Sequence, residues 1–306
     1  MEESVNKASR LVGVEASRSA FVGVCLDASG HVTASEAVRF LKDEDPIAQL
    51  IAAISGFKDV FGEFDKVGIA VPGLIEKGNS RVAYSAHIPE HASVDLGEEV
   101  QKATGIKATV ENDGNAAAYG EFKLGAGRES LDIFYATLGE GVGGAFIIEG
   151  KIWRGVAGFA GEFGSVAINS DGMKLEDVAS TANIVRRTRQ RFHQDSTSSL
   201  NKLEETEIRI TDIITAAEGQ DDFAAMMLQR TGNYVGTAIA SVINLLNIEK
   251  IIVGGEIMQA GHIVLDSIIR RARELSFTPS FNSTRIVAGE LGLNAAAAGA
   301  ALLANE

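Results

Sequence analysis

Thr137-Leu138-Gly139-Glu140-Gly141-Val142-Gly143-Gly144 decides the fold of this chain. The glycines at 139, 141 and 144 match the dinucleotide-binding spacing G-x-G-x-x-G, but that pattern has to open a helix. Here an apolar run at 131–136 leads in, and Ala145-Phe146-Ile147-Ile148 followed by Glu149-Gly150 leads out. That order reads as strand, tight turn, strand and turn. Glycines in such a hairpin let backbone N–H groups come close to an anion, because no Cβ intervenes. The segment is either a phosphate-facing hairpin or an ordinary glycine-rich turn.

Outward from this hairpin, one pattern occurs twice. Residues 11–15 form a short apolar run, 16–18 a small polar turn, 19–26 a second strand, 27–30 a turn, and 31–38 a third strand. Residues 131–138, 139–141, 142–148, 149–150 and 151–155 repeat that order, so each half begins with a three-stranded meander. After the first meander come helix 46–54, strand 66–71, helix 96–104 and strand 108–111. After the second come helical stretches in 183–192, 210–218 and 221–247, then strand 250–253. Two α/β lobes around a cleft are predicted. The stretch 221–247 is heavily apolar towards its end, which predicts part core and part subunit contact. Residues 194–206 have the composition of an exposed loop.

Two further segments carry candidate chemistry. In Glu111-Asn112-Asp113-Gly114-Asn115-Ala116-Ala117 a carboxylate sits where a strand ends and an alanine-rich helix begins. Asn115 is expected to cap the helix 116–124. Asp113 then either faces a cleft or helps cap that helix. In Gly155-Val156-Ala157-Gly158-Phe159-Ala160-Gly161-Glu162-Phe163-Gly164, Glu162 is the one charged group among small and apolar residues. It lies either on a solvated turn or against a polar ligand that the glycines admit.

Composition narrows the class. At 306 residues, with 45% hydrophobic residues and 33 glycines, the chain suits a two-core α/β protein with many tight turns. The formal net charge of −13, with no basic run to offset it, argues against a nucleic-acid surface. The single cysteine, Cys25, rules out an internal disulfide. Residues 1–10 are too polar for a signal peptide, and no apolar run reaches the length of a membrane span. The expected compartment is the cytoplasm, with no membrane partner.

Taken together, these segments resemble the ROK family of sugar kinases and sugar-responsive regulators, a branch of the actin-like, sugar-kinase superfamily. The matches run co-linearly over nearly the whole chain: Gly68-Ile69-Ala70-Val71-Pro72-Gly73, then 111–117, 137–144 and 155–164, then Leu175-Glu176 with Ala179-Ser180, Val253-Gly254-Gly255, and the closing helix 295–304. The resemblance implies an α/β fold of two duplicated actin-like (ribonuclease H-like) lobes around a nucleotide and sugar cleft. The N-terminal lobe would hold 1–114 with 291–306 and the C-terminal lobe 115–290, in a homodimer. It further implies transfer of phosphate from ATP, with Mg²⁺, to a hexose or amino sugar. Asp113 would be the general base, and Asn112, Glu162, Glu176, Gly73 and His87 would lie at the sugar. Glu15, Ser17, Arg18, Ser19, Thr137, Gly139, Glu140, Gly141, Gly254 and Gly255 would lie at the nucleotide.

The departures from the family pattern are as informative. Ser165 stands where the family has a histidine, no cysteine follows, and only 166–175 separate it from Glu176, so no structural zinc is expected. The first phosphate turn, usually Asp-x-Gly-Gly-Thr, reads Glu15-Ala16-Ser17-Arg18-Ser19. Glu140 replaces a small hydroxyl residue in the second. At about 5 Å from a phosphate charge and an effective dielectric near ~20, its repulsion is about 3 kcal/mol, roughly two decades of affinity. Two functions follow: an ATP-dependent sugar kinase, or a catalytically impaired sugar-binding or regulatory relative. About ten residues before the first strand leave no room for a DNA-binding helix-turn-helix, so regulation would run through a protein partner. The acceptor-side residues favour the kinase.

Overall fold

The computed structural model describes residues 10–76, 80–85 and 88–306, so His87 lies outside the described residues. The chain divides into two units: residues up to Arg128 with Ile152–Ala160 and Leu293–Glu306, and Glu129–Lys151 with Gly161–Gly292.

In the first unit, β-branched and apolar runs broken by polar turns give β1 (Leu11–Ala16), β2 (Ala20–Leu26) and β3 (Val32–Arg39). Asp45 then caps α1 (Pro46–Phe61) by accepting the N–H groups of Ile47 and Ala48, with Pro46 preset for the first turn. The chain continues through β4 (Lys66–Val71), the short pair β5 (Leu74–Ile75) and β6 (Val82–Tyr84), α2 (Leu96–Thr104), β7 (Lys107–Asn112) and α3 (Asp113–Leu124). The sheet runs β3-β2-β1-β4-β7, antiparallel through the meander and parallel from β1 to β7. Leu50, Ile54, Phe57 and Phe61 of α1 bury against it with Val12, Val14 and Phe21.

The second unit repeats this plan. β8 (Ile133–Leu138), β9 (Val142–Ile148) and β10 (Lys151–Ile152) form its meander. There follow α4 (Glu176–Ala179), α5 (Thr181–Arg189), α6 (Ile210–Glu218), α7 (Asp222–Leu246), β11 (Lys250–Gly254), α8 (His262–Leu275), α9 (Thr278–Ser283) and β12 (Arg285–Ala288). Strand order is β10-β9-β8-β11-β12, with β8, β11 and β12 parallel. Asp221 caps α7 on Ala224 N–H, and Asn247 ends it in the left-handed conformation at φ 47°. Among the described residues, no helix is long and apolar enough to cross a membrane.

The last helix, α10 (Ala295–Leu303), returns to the first unit, where its small residues allow very close packing. A Cβ on Gly13 would lie 1.9 Å from the Ala297 carbonyl oxygen, and one on Gly68 would lie 1.8 Å from that of Ala300. The same closeness holds α3: a Cβ on Gly299 would meet the Ala116 carbonyl oxygen at 1.7 Å. α3 therefore belongs to the first unit, and a division at 114/115 would cut it after its second residue. Residues 194–206 also differ from a plain exposed loop. Leu200 is buried, and Asp221 Oδ2 accepts bonds from the hydroxyls of Ser198 and Ser199.

Candidate functional site

The parallel strands of the first unit end together, and their carboxyl ends carry the candidate residues. Glu15 pairs in register with Ala70, Ala70 with Glu111, and Val71 with Asn112. Where β7 stops, it is Asn112 that caps the following helix, and not Asn115. Its Oδ1 accepts the Asn115 N–H at 3.0 Å, and α3 starts one residue after it, at Asp113. Asn115 is instead buried, donating through Nδ2 to Glu111 Oε1 at 2.9 Å. Its carboxamide serves the charge behind the helix, so its backbone alone takes part in the cap.

With Asn112 as cap, the Asp113 side chain is left to other partners. Its Oδ1 accepts the Gly114 N–H at 2.9 Å and Asn112 Nδ2 at 3.0 Å, which orients the carboxylate at the positive end of α3. Asn112 Nδ2 also donates to the Gly73 carbonyl at 2.9 Å, so Asn112, Asp113 and Gly73 come together. Gly73 has φ +154°, and a Cβ there would meet the Tyr84 carbonyl oxygen at 2.6 Å. Ser85 extends this loop, donating to the Pro72 carbonyl at 2.6 Å and accepting the Ile88 N–H at 3.1 Å.

The β1–β2 turn of the same unit is closed by its own side chains. Ser17 Oγ accepts the N–H groups of Ser19 and Ala20 at 3.3 and 3.1 Å and donates to the Ala20 carbonyl at 2.9 Å. Arg18 and Ser19 are exposed, and Glu15 is half-buried.

In the second unit, β8 and β9 form the expected hairpin, closing Leu138 on Val142 around Gly139-Glu140-Gly141. Gly139 N–H donates to the Gly141 carbonyl at 3.0 Å, and Gly139 in turn accepts the Thr181 N–H at the start of α5 at 2.8 Å. β11 runs beside β8 with Gly254 opposite Thr137. The next residue, Gly255, has φ +92°, and a Cβ there would strike the Leu138 carbonyl oxygen at 2.5 Å. Thr137, Gly139, Glu140, Gly141, Gly254 and Gly255 thus gather at one end of two parallel strands, with Glu140 exposed at the hairpin tip. Thr181 and Glu256 join them, Thr181 Oγ1 donating to Glu256 Oε2 at 3.2 Å. Neither carried a sequence signal beyond nearness to Ser180 and Gly255.

Glu162 and Glu176 also converge in this unit. Glu176 opens α4 and accepts the Val142 N–H through Oε2 at 2.9 Å. Gly164 passes so close that a Cβ there would lie 3.2 Å from the same oxygen. Burial, and then the neighbouring Glu176 charge, hold the Glu162 carboxyl above the usual carboxylate range. Between them, residues 166–175 make a short closed loop. Ala167 bridges Lys174, and Asn169 Oδ1 accepts the N–H groups of Asp171 and Met173. Among the described residues, no three His, Cys, Asp or Glu side chains are grouped to hold a metal ion.

Known proteins share this fold. The ROK family model matches residues 11–306. A glucokinase of Thermotoga maritima is 33% identical over 276 residues, 86% of each chain. The structure of a ROK family glucokinase from Streptomyces griseus, in complex with glucose and AMPPNP, superposes with a TM-score of 0.87 at 27% identity, covering 97% of this chain and 99% of that one. A ROK family transcriptional regulator, described as a homologue of the E. coli MLC protein, superposes with a TM-score of 0.83 at 29% identity over 98% of this chain and 78% of its own.

Proposed function

Since the chain belongs to the ROK family, we propose that it is an ATP-dependent sugar kinase acting on a hexose or amino sugar. The observation that carries this reading is the strand exit, where Asn112 caps α3 and holds the Asp113 carboxylate by one oxygen. In the proposed reaction Asp113 takes the proton of a sugar hydroxyl. That oxygen attacks the γ-phosphorus, the bond to the β-bridging oxygen breaks, and ADP leaves with the electron pair. Asn112 and Gly73 bind a neighbouring hydroxyl, and Glu162 and Glu176 bind further sugar oxygens.

The nucleotide phosphates would lie against the turns at Glu15–Ser19 and Thr137–Gly141, with Gly254 and Gly255 beside the rest of the nucleotide. Mg²⁺ supplies charge neutralisation to such a donor, and Glu15 would hold it, directly or through water. We place the protein in the cytoplasm as a homodimer.

A second reading has its own observation. The Ser17 hydroxyl occupies two amides, those of Ser19 and Ala20, that a phosphate would use in the first turn. It makes the chain a sugar-binding regulator without turnover, in line with the regulator neighbour. An ADP-release screen over hexoses and N-acetylhexosamines, run beside nucleotide-free sugar binding, separates the two. Turnover selects the kinase; binding without turnover selects the regulator.

A further inference from the structure

One buried acid of the first unit has no role in the reaction above. Glu111 is 8% exposed, and both its oxygens are engaged. Oε1 accepts the Asn112 N–H at 3.0 Å and Asn115 Nδ2 at 2.9 Å, while Oε2 accepts Arg154 Nε at 3.1 Å and Nη2 at 2.5 Å. Arg154 lies 43 residues further along the chain. It sits in Ile152–Ala160, a stretch of the first unit whose neighbours in sequence on both sides belong to the second. Its own carbonyl accepts the Ala160 N–H at 3.1 Å, closing a turn that Gly155 enters at φ +70° and that runs on to Glu162.

We propose that Arg154 is a positioning residue for Asp113. This rests on the kinase reading and deepens it. A carboxylate this poorly hydrated needs a fixed counter-charge, and the planar guanidinium supplies it through two N–H groups on one oxygen. With Oε2 so held, Oε1 is aimed at Asn112 and Asn115, the two residues that make the cap of α3. Asn112 in turn holds Asp113 Oδ1 and Gly73. The order of dependence is Arg154, Glu111, the Asn112 cap, Asp113.

The test compares wild type, Arg154→Met, Arg154→Lys and the pair Glu111→Gln with Arg154→Met. Two readouts are used: residue-resolved hydrogen exchange of the amides at 113–117, which needs no substrate, and steady-state kinetics. Arg154→Met should speed exchange at 113–117 about tenfold or more while the amides of α1 and α2 hold. It should also lower kcat about tenfold with sugar KM within about threefold. The paired variant has no bare charge to satisfy and should recover most of both effects. Arg154→Lys keeps the charge without the fork and should shift both in the same direction, about threefold; it decides the matter if Arg154→Met does not fold. Unchanged exchange and kcat, or equal acceleration throughout the first unit, would overturn the proposal. Wild type without turnover on any sugar would defeat the kinase reading instead, and the exchange result would still decide the order of dependence.

Discussion

The two units begin with the same three-stranded meander and finish its first turn in opposite ways. In the first, Ser17 folds its hydroxyl back on the N–H groups of Ser19 and Ala20, and the turn is satisfied internally. In the second, the turn between Leu138 and Val142 keeps its glycines. A Cβ added at Gly139 would meet nothing within 4 Å. The first turn is closed by a side-chain hydroxyl and the second by backbone, Gly139 N–H donating to the Gly141 carbonyl at 3.0 Å, although the strands around them are alike. The difference lies in side-chain chemistry, because the register of each meander is intact on either side of its turn. Duplication therefore preserves the frame, and the local residues decide how each turn is closed.

The largest effect on nucleotide affinity should come from the Gly139–Gly141 turn, where Glu140 is exposed at the tip. Glu140→Thr should tighten ATP binding by between about tenfold and a hundredfold, the lower end reflecting solvent screening of an exposed carboxylate. Calorimetric titration with ATP and Mg²⁺ would show it. Unchanged affinity would mean that the Gly139–Gly141 turn does not face phosphate.

The units also part ways in acid. His91 of the first unit is fully buried, neither ring nitrogen has a hydrogen-bond partner among the described residues, and burial pushes its imidazole down to about 4. Its folded pKa lies below the ordinary 6.5, so the neutral form is favoured on folding. Its contribution is present above pH 6.5 and is lost as pH falls towards 4. Between pH 7 and 5 that loss is about 2 kcal/mol. Urea unfolding of wild type against His91→Leu should show this loss only in wild type. In the second unit the sign reverses. Glu162 is held above its ordinary value of 4.5, so its charge works against folding at neutral pH. Glu162→Gln should raise Tm at pH 7, with the gain fading below about pH 4.5. Parallel pH responses of the two variants would remove this contrast.

The smallest effect belongs to the turn that Ser17 closes. Ser17→Gly frees two amides and should tighten ATP binding about three- to tenfold, the net worth of one or two hydrogen bonds. A loss of affinity would show that the serine itself binds phosphate.

Much of this frame was legible because strands and helices with turn residues between them announce themselves locally. The elements Lys66–Val71, Leu96–Thr104 and Ile210–Glu218 fall where the pattern places them. The glycine hairpin was decided by the strand that follows it. What failed depended on side-chain contacts that spacing does not show. Asn112 and Asn115 are equally good caps on paper, and the buried Glu111 decides between them by taking the Asn115 carboxamide. α3 joins the first unit through contacts with α10, at the far end of the chain. β12 has exposed ends and two half-buried residues, so it shows no alternation to read. Leu200 looked like part of a polar loop because the core that buries it comes from other segments. Asp113 and Glu162 were visible as carboxylates among glycines and small residues, whereas Arg154 had no spacing to mark it.

The central claim is that Asp113 is the base of a sugar kinase, and the direct measurement is ADP release by wild type and Asp113→Asn on the sugar that wild type turns over best. The account predicts that sugar binding survives the change while kcat falls by about 10² or more. Equal rates in the two proteins would contradict it.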